Sequence, residues 1–246
     1  MLLLLPGGDG DADTYDQLAG HLEPHFSVVT YDRRGLSRST CTGAAPTVAT
    51  HADDAAAVLA AVTDTPAFVF GSSIGAVIAL ELTTRHPDVV QRTVVHEPPL
   101  AALLPEPART ELRQAQSAIE QAHRDHGIAA ATGQFARLIQ IDPTDHEPGI
   151  EPVRPGPERV ANLNFFLTHD APAVRQYQPD TLALQKQADT IIPAVGTTTT
   201  GQVPACTHAL AELLDVEVTR LPGGHTAPTM HPRGVADTLH AILTGS

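Results

Sequence analysis

The sequence predicts an α/β protein with a mostly parallel, doubly wound sheet, interrupted by one helical insertion. Three observations lead there. Through residues 1–100, short apolar runs alternate with helical periodicities, the pattern of parallel strands joined by crossover helices. Between residues 101 and 187 no convincing strand occurs, and helical stretches are separated by proline-rich loops. From 188 to 246 the alternation returns. The expected organisation is a first core part (1–100), a helical cap or lid (101–187) and a second core part (188–246). A chain of 246 residues can bury such a core and carry the insertion.

Each element follows in order. Residues 2–5, four leucines ending at Pro6-Gly7-Gly8, read as a buried strand. Residues 14–22 suit a short helix with Leu18 and Leu22 on one face, and residues 26–31 a second strand. A turn at Asp32-Arg33-Arg34-Gly35 follows, in which Asp32 is expected to brace Arg33 and Arg34. Residues 47–62 place Val48, Ala52, Ala55, Leu59 and Val62 at helical spacing. A third strand, 67–70, runs directly into Gly71-Ser72-Ser73-Ile74-Gly75, and the helix after it, 76–86, stops at Pro87. Residues 91–95 form a fourth strand ending at His96-Glu97-Pro98-Pro99. Helices over 109–126, 128–141 and 158–168 make up the insertion, with a proline-rich loop at 148–157. A strand at 190–195, a helix near 204–214, a strand at 216–221 and a helix at 234–243 complete the chain. No internal repeat is visible.

Charge excludes several classes. Fifteen Lys and Arg stand against 28 Asp and Glu, a formal charge of −13 with no basic stretch. Nucleic acid and anionic membranes are therefore not expected partners. Met1 to Leu5 is too short and lacks the basic start of a signal segment, and no stretch reaches membrane-spanning length. Two isolated cysteines, Cys41 and Cys206, build neither a disulfide framework nor a zinc site, which favours a cytoplasmic protein with free thiols. Apart from His225 and His231, the other eleven histidines form no ligand cluster, so no metal is expected, and the expected chemistry calls for no cofactor.

The pentapeptide Gly71–Gly75 carries the chemistry. A Gly-x-Ser-x-Gly turn between an apolar strand and an apolar helix holds its central residue in a strained conformation at the sheet's carboxyl edge. Ser73 is the candidate nucleophile, beside the positive end of a helix, with the Ile74 N–H aimed at a developing oxyanion. Ser72 lies one place early. The alternative is a glycine turn that merely joins strand to helix.

Four segments, Leu5-Pro6-Gly7-Gly8, Asp32-Arg33-Arg34-Gly35-Leu36-Ser37, Gly71-Ser72-Ser73-Ile74-Gly75 and Pro222-Gly223-Gly224-His225, resemble the α/β-hydrolase superfamily in kind, order and spacing. The resemblance spans nearly the whole chain. It implies that Gly8 supplies a second oxyanion N–H, with Asp9 beside it. Pro6 stands where the family often has histidine. Two leading strands usual in the family are missing or trimmed, which would leave a sheet edge for a second subunit to cover, as in a homo-oligomer. The turn at 8–13 has two other readings, and both fail. Asp13 replaces the third glycine of a dinucleotide fingerprint, and Thr14 and Gly20 occupy the wrong places for a calcium loop.

His225 is the candidate base, and His231 the nearest rival, expected on the surface. The usual acid position, after the strand at 190–195, reads Gly196-Thr197-Thr198-Thr199-Thr200-Gly201 and holds no carboxylate. The resemblance offers a second location, after the strand at 91–95, where Glu97 stands. Glu97 could instead cap the turn before Pro98-Pro99, and Asp189 lies at the wrong end of its strand. The expected reaction is hydrolysis of a carboxylic ester or lactone through an acyl-enzyme. Its expected substrate is a small, moderately apolar molecule lined by Asp9, Leu103, Leu138, Phe165 and Phe166, with Leu104, Phe135 and Leu167 nearby. The same scaffold also hosts carbon–carbon hydrolysis, lyase and cofactor-free oxidation chemistry, and a receptor without turnover would keep the same pocket.

Overall fold

A computed structural model describes residues 1–150 and 157–245 of the chain. Most of the loop expected at 148–157 lies outside the described residues. The strands are β1 (Leu2–Leu5), β2 (Val28–Val29), β3 (Ala67–Ser72), β4 (Val90–His96), β5 (Ile191–Gly196) and β6 (Thr219–Leu221). They form one sheet in the order β2-β1-β3-β4-β5-β6. Every neighbouring pair is parallel.

The helices of the core are α1 (Asp16–Leu22), α2 (Val48–Val62) and α3 (Ile74–Arg85). Between β4 and β5 come α4 (Ala108–His126), α5 (Ile128–Leu138), α6 (Pro157–Phe165), α7 (Ala171–Gln176) and α8 (Thr181–Lys186). The chain ends with α9 (Gln202–Leu214), α10 (Ala227–Met230) and α11 (Pro232–Thr244).

The four leucines of β1 show why the sheet is covered twice. Side chains alternate along a strand, so Leu3 and Leu5 enter the core beneath α2, α3 and α9. Leu2 and Leu4 enter the opposite core, built with Leu18 and Leu22 of α1 and Val235 and Leu239 of α11. All four are fully buried, as expected of a parallel strand with helices on both faces. The order reverses between β1 and β3, since β2 lies on one side of β1 and β3 on the other. That switch point opens a crevice at the carboxyl ends of those strands, the standard ligand position in an open α/β sheet.

Several boundaries differ from the sequence reading. The edge strand β2 has only two residues, pairing Leu2 with Val28 and Leu3 with Val29. The strand expected from 216 begins at Thr219, because Asp215 turns left-handed (φ 55°) and Val216 N–H returns to Ala211 O at 3.1 Å, closing α9. Helix α5 stops at Leu138 rather than 141, because left-handed Gln140 (φ 53°) sends Ile141 N–H back to Ala136 O at 3.0 Å. The helix expected to reach 168 gives way at Phe166–Asp170 to a π-helical turn. Among the described residues no helix is long and apolar enough to cross a membrane.

Candidate active site

Ser73 sits where β3 turns into α3, at φ 56° and ψ −122°. A non-glycine residue in that region is strained, and the surroundings hold it there. Its N–H is tied to His96 O on β4 at 2.8 Å. A Cβ on Gly71 would run into the carbonyl of Gly75, and one on Gly75 into the carbonyl of Leu5. Both positions therefore require glycine for strand, turn and helix to approach so closely. The Ser73 hydroxyl is left at the amino-terminal end of α3, facing the crevice.

Glu97, immediately after β4, also has a positive φ, 49°. Its N–H bonds Ala194 O on β5 at 3.0 Å, and its carboxylate crosses over the end of that strand. Oε1 accepts from Gly196 N–H at 2.9 Å, and Oε2 lies 2.6 Å from His225 Nδ1. Burial works to raise the carboxyl pKa. The hydrogen bond from His225, the charges of His96 and His225 and the Gly196 N–H outweigh it, and the group settles at about 2. At neutral pH Glu97 is an anion that can only accept, so His225 must donate from Nδ1, and in the neutral ring Nε2 is left as acceptor. No hydrogen bond joins His225 to Ser73 Oγ among the described residues. Such bonds are often long in unliganded enzymes and tighten with substrate.

The threonine-rich stretch after β5 thus has a use despite lacking a carboxylate. Thr197 N–H bonds Leu221 O at 2.9 Å, and its Oγ1 accepts from Gly223 N–H at 3.1 Å, bracing the turn that carries His225. Behind the carboxylate lies fully buried His96, its Nδ1 2.9 Å from Ser72 Oγ and its Nε2 3.7 Å from Glu97 Oε1. Burial pushes the His96 pKa down to about 4, with Glu97 pulling the other way. The imidazole is therefore neutral at pH 7.

Two compartments meet at Ser73 and His225. The inner one, of about 50 Å³, is lined by apolar side chains including Ile119, Leu138, Phe166 and Val203, together with Gln116. Gln116 Oε1 is buried there without a hydrogen-bond partner. The outer one, of about 310 Å³, is lined by the Gly7–Gly10 turn, Thr132, Thr226, Thr229 and Arg159. Gly8 faces the outer compartment and Ile74 the inner, and neither N–H donates to a protein acceptor among the described residues.

Several sequence expectations need correction. Phe165 lines neither compartment, because its ring packs on Gly35 and lies 4.7 Å from the His169 ring. Leu103 is also absent from the lining and packs against the core. Asp9 borders the outer compartment, but its carboxylate is ion-paired with Arg159 Nε of α6 at 2.5 Å. Asp32 braces its turn through Arg38, at 2.9 Å from NH2 to Oδ1, while Arg34 pairs with Asp54. His231 is half-buried rather than on the surface, 2.7 Å from Asp145. Asp189 precedes β5, at the opposite edge from Ser73. Sequence reasoning overlooked His96, Gln116, Arg33 and the Gly196 N–H. Only His96 had a visible signal, a histidine closing an apolar strand beside Glu97.

Comparison with known proteins agrees with this architecture. The uncharacterized hydrolase YraK of Bacillus subtilis (strain 168) is 36% identical over 250 residues, covering 99% of this chain and 88% of that protein. The solved enol-lactonase of Burkholderia xenovorans LB400 superposes with a TM-score of 0.72 at 19% identity, over 99% of this chain and 90% of that one. MGS-M2, an alpha/beta hydrolase enzyme from a Medee basin deep-sea metagenome library, gives 0.76 at 15% identity, over 100% and 89%. At such identities these two likenesses speak for the fold alone. Residues 2–238 match the alpha/beta hydrolase family as a whole, and with a strained serine turn on a parallel sheet, the chain belongs to that family.

Proposed function

We propose that the protein hydrolyses a small carboxylic ester or lactone through an acyl-enzyme. The observation that carries this reading is the arrangement around Ser73, a serine with a strained backbone whose side chain shares a cavity with an imidazole whose far nitrogen is 2.6 Å from a buried carboxylate. Ser73 Oγ attacks the carbonyl carbon as His225 Nε2 takes its proton. Ionised Glu97 stabilises the imidazolium, and the free N–H groups of Gly8 and Ile74 receive the oxyanion. His225 then returns the proton to the leaving oxygen, and water repeats the sequence on the acyl-enzyme.

The two compartments divide the substrate. The inner one has room for roughly four water-sized groups, which suits a short acyl chain. The outer one, with its threonines and open mouth, takes the alcohol portion or the rest of a lactone ring. The helices from 101 to 187 act as a lid, since α4, α5, α7 and the turn at 166–170 together supply most of the inner lining.

A fluorophosphonate probe tests the reading directly. Labelling is expected at Ser73, blocked by the Ser73→Ala substitution, alongside turnover of short-chain p-nitrophenyl esters that falls at least 10⁴-fold in that variant, in order of magnitude. A folded wild-type protein that neither labels nor turns over would overturn it.

A further inference from the structure

Of the three arginines near the turn after β2, two are accounted for at the surface: Arg34 by Asp54 and Arg38 by Asp32 and Asp13. Arg33 is different, because it is completely buried. NH1 donates to Pro6 O at 2.7 Å and to Gly10 O at 3.4 Å, and NH2 donates to Gly8 O. Its carboxylate neighbour, Asp170 Oδ2, stands 3.7 Å away, and the other oxygen of that group meets His51 Nε2 at 3.1 Å. A cation taken out of water needs such partners, and here most of them are backbone carbonyls of a single turn.

Those carbonyls belong to the turn that carries Gly8. In a peptide plane the C=O and the following N–H point in opposite directions. Arg33 gathers the carbonyls of residues 6, 8 and 10 inward, while Gly10 N–H holds Gly7 O at 2.8 Å. The Gly8 N–H shares its plane with Gly7 O, which Gly10 N–H holds inside the turn between the carbonyls that Arg33 grips, so it points away from that bond. Gly8 lines the outer compartment beside Ser73, and its N–H has no protein acceptor among the described residues. Gly8 holds a φ of 34° there, a left-handed conformation that free glycine would leave readily. The same π-helical turn that bears Asp170 lays the Phe166 ring against Gly8.

We propose that Arg33 is a positioning residue for the oxyanion hole: it clamps the 6–10 turn so that the Gly8 N–H is preset for the tetrahedral intermediate. Through Asp170 the clamp is also coupled to the seating of the helical segment. The inference rests on the reading of Ser73 as nucleophile and Gly8 as donor.

The test compares Arg33→Met and Arg33→Lys with wild type on a p-nitrophenyl ester and on a trifluoromethyl ketone, whose serine adduct carries the oxyanion. Loss of one oxyanion donor lowers turnover about 10²–10³-fold in well-studied hydrolases. Here kcat is expected to fall roughly 30- to 300-fold with KM within about threefold, and ketone affinity to fall in parallel. The lysine variant should recover little, because an ammonium cannot span three carbonyls. Folded variants with unchanged kcat, or with kcat and KM shifting together while ketone affinity holds, would overturn the proposal. Should Arg33→Met not fold, Arg33→Lys carries the same reading by itself. Asp170→Asn, which leaves the carbonyl contacts in place, should cost under tenfold in kcat. Fluorophosphonate labelling of wild-type Ser73 separates the outcomes: unlabelled wild type defeats the hydrolase reading, whereas labelled wild type with indifferent Arg33 variants defeats this one alone.

Discussion

His225 and His231 stand six residues apart on either side of α10, and each meets a carboxylate at nearly the same distance, 2.6 Å for Glu97 and 2.7 Å for Asp145. The first pair belongs to the sheet edge, with its carboxylate fully buried at the end of β4 and its imidazole facing the cavity of Ser73. The second belongs to the seam where the loop after α5 docks on the core. There Asp145 also takes the Thr198 hydroxyl at 2.7 Å, and Glu147 accepts the Gly234 N–H at 2.7 Å. A short histidine–carboxylate contact is therefore not chemistry by itself. What separates the two is the shared cavity with a strained serine and the full burial of the Glu97 anion, against a partly exposed Asp145.

The largest effects should follow that separation. Glu97→Gln keeps the shape of the side chain but removes the anion, and kcat is expected to fall roughly 10³- to 10⁴-fold. His231→Gln should stay within about threefold of wild type on the same ester, with some loss of thermal stability as the seam loosens. Steady-state kinetics on both variants check the contrast. Comparable losses from the two would erase the distinction drawn between the regions.

Acid should distinguish the regions next. Glu97 has a folded-state pKa of about 2 against an ordinary value of 4.5, so it contributes stability above pH 4.5 that is lost as pH falls toward 2. His96, at about 4 against 6.5, stays neutral in the fold while the unfolded chain takes up a proton. Its linkage therefore lowers stability as pH falls from 6.5 toward 4. In both cases the unfolded state binds more protons, and stability rises with pH across the window. Urea unfolding at pH 7, 5.5 and 4.5 should show a decline of the order of 3 kcal/mol over the upper limb. His96→Asn should flatten that limb, whereas His231→Gln should leave it in place.

How much of this was legible in the sequence divides along the same line. The core was readable because local signals and global topology agree there: four leucines stopped by Pro6-Gly7-Gly8 suit a short strand buried on both faces, and Gly71 and Gly75 mark a turn with no space for a Cβ. Glu97 could be named because the family resemblance offers the end of that strand as a second acid position, and strand ends of a parallel sheet share an edge with Ser73. The lining of the helical segment was not readable in the same way. Leu103 and Phe165 have the same apolar character as Leu138 and Phe166, and only packing decides which faces the cavity. Phe165 and Phe166 are adjacent, yet a π-helical turn sends one to Gly35 and the other to the inner compartment. Arg33 was hidden for a related reason, since nothing in three nearby arginines announces which one folds inward.

A smaller effect concerns selection by the inner compartment. Gln116 Oε1 is buried without a partner among apolar neighbours, a cost that a substrate with a suitably placed N–H or O–H would offset. Gln116→Leu should therefore lower kcat/KM for an ester with such a group on its acyl chain by about tenfold relative to its plain alkyl counterpart. Paired competition assays read that ratio. An unchanged ratio would mean that the helical segment only excludes water and selects nothing at this position.

The smallest effect is expected where the helical segment meets the glycine turn at the surface. Helix α6 reaches the turn in two ways. Asn162 is buried, donating to Asp9 O at 3.2 Å and to Ser37 Oγ at 2.9 Å while accepting from Ser37 N–H at 2.8 Å. Arg159 is about half exposed and meets the Asp9 carboxylate as an ion pair at the mouth of the outer compartment. Exposed pairs contribute roughly 0.2–1 kcal/mol and are screened by salt, so Arg159→Ala should change KM by no more than about fivefold. Direction follows from charge: freeing Asp9 leaves an unpaired anion at the entrance, which should raise KM for a carboxylate-bearing ester more than for a neutral one. Added sodium chloride should shrink the difference between the variant and wild type for the charged ester. A variant whose KM rises equally for both esters and ignores salt would show that Arg159 acts through packing of α6, placing it with Asn162 in the rigid part of the seam.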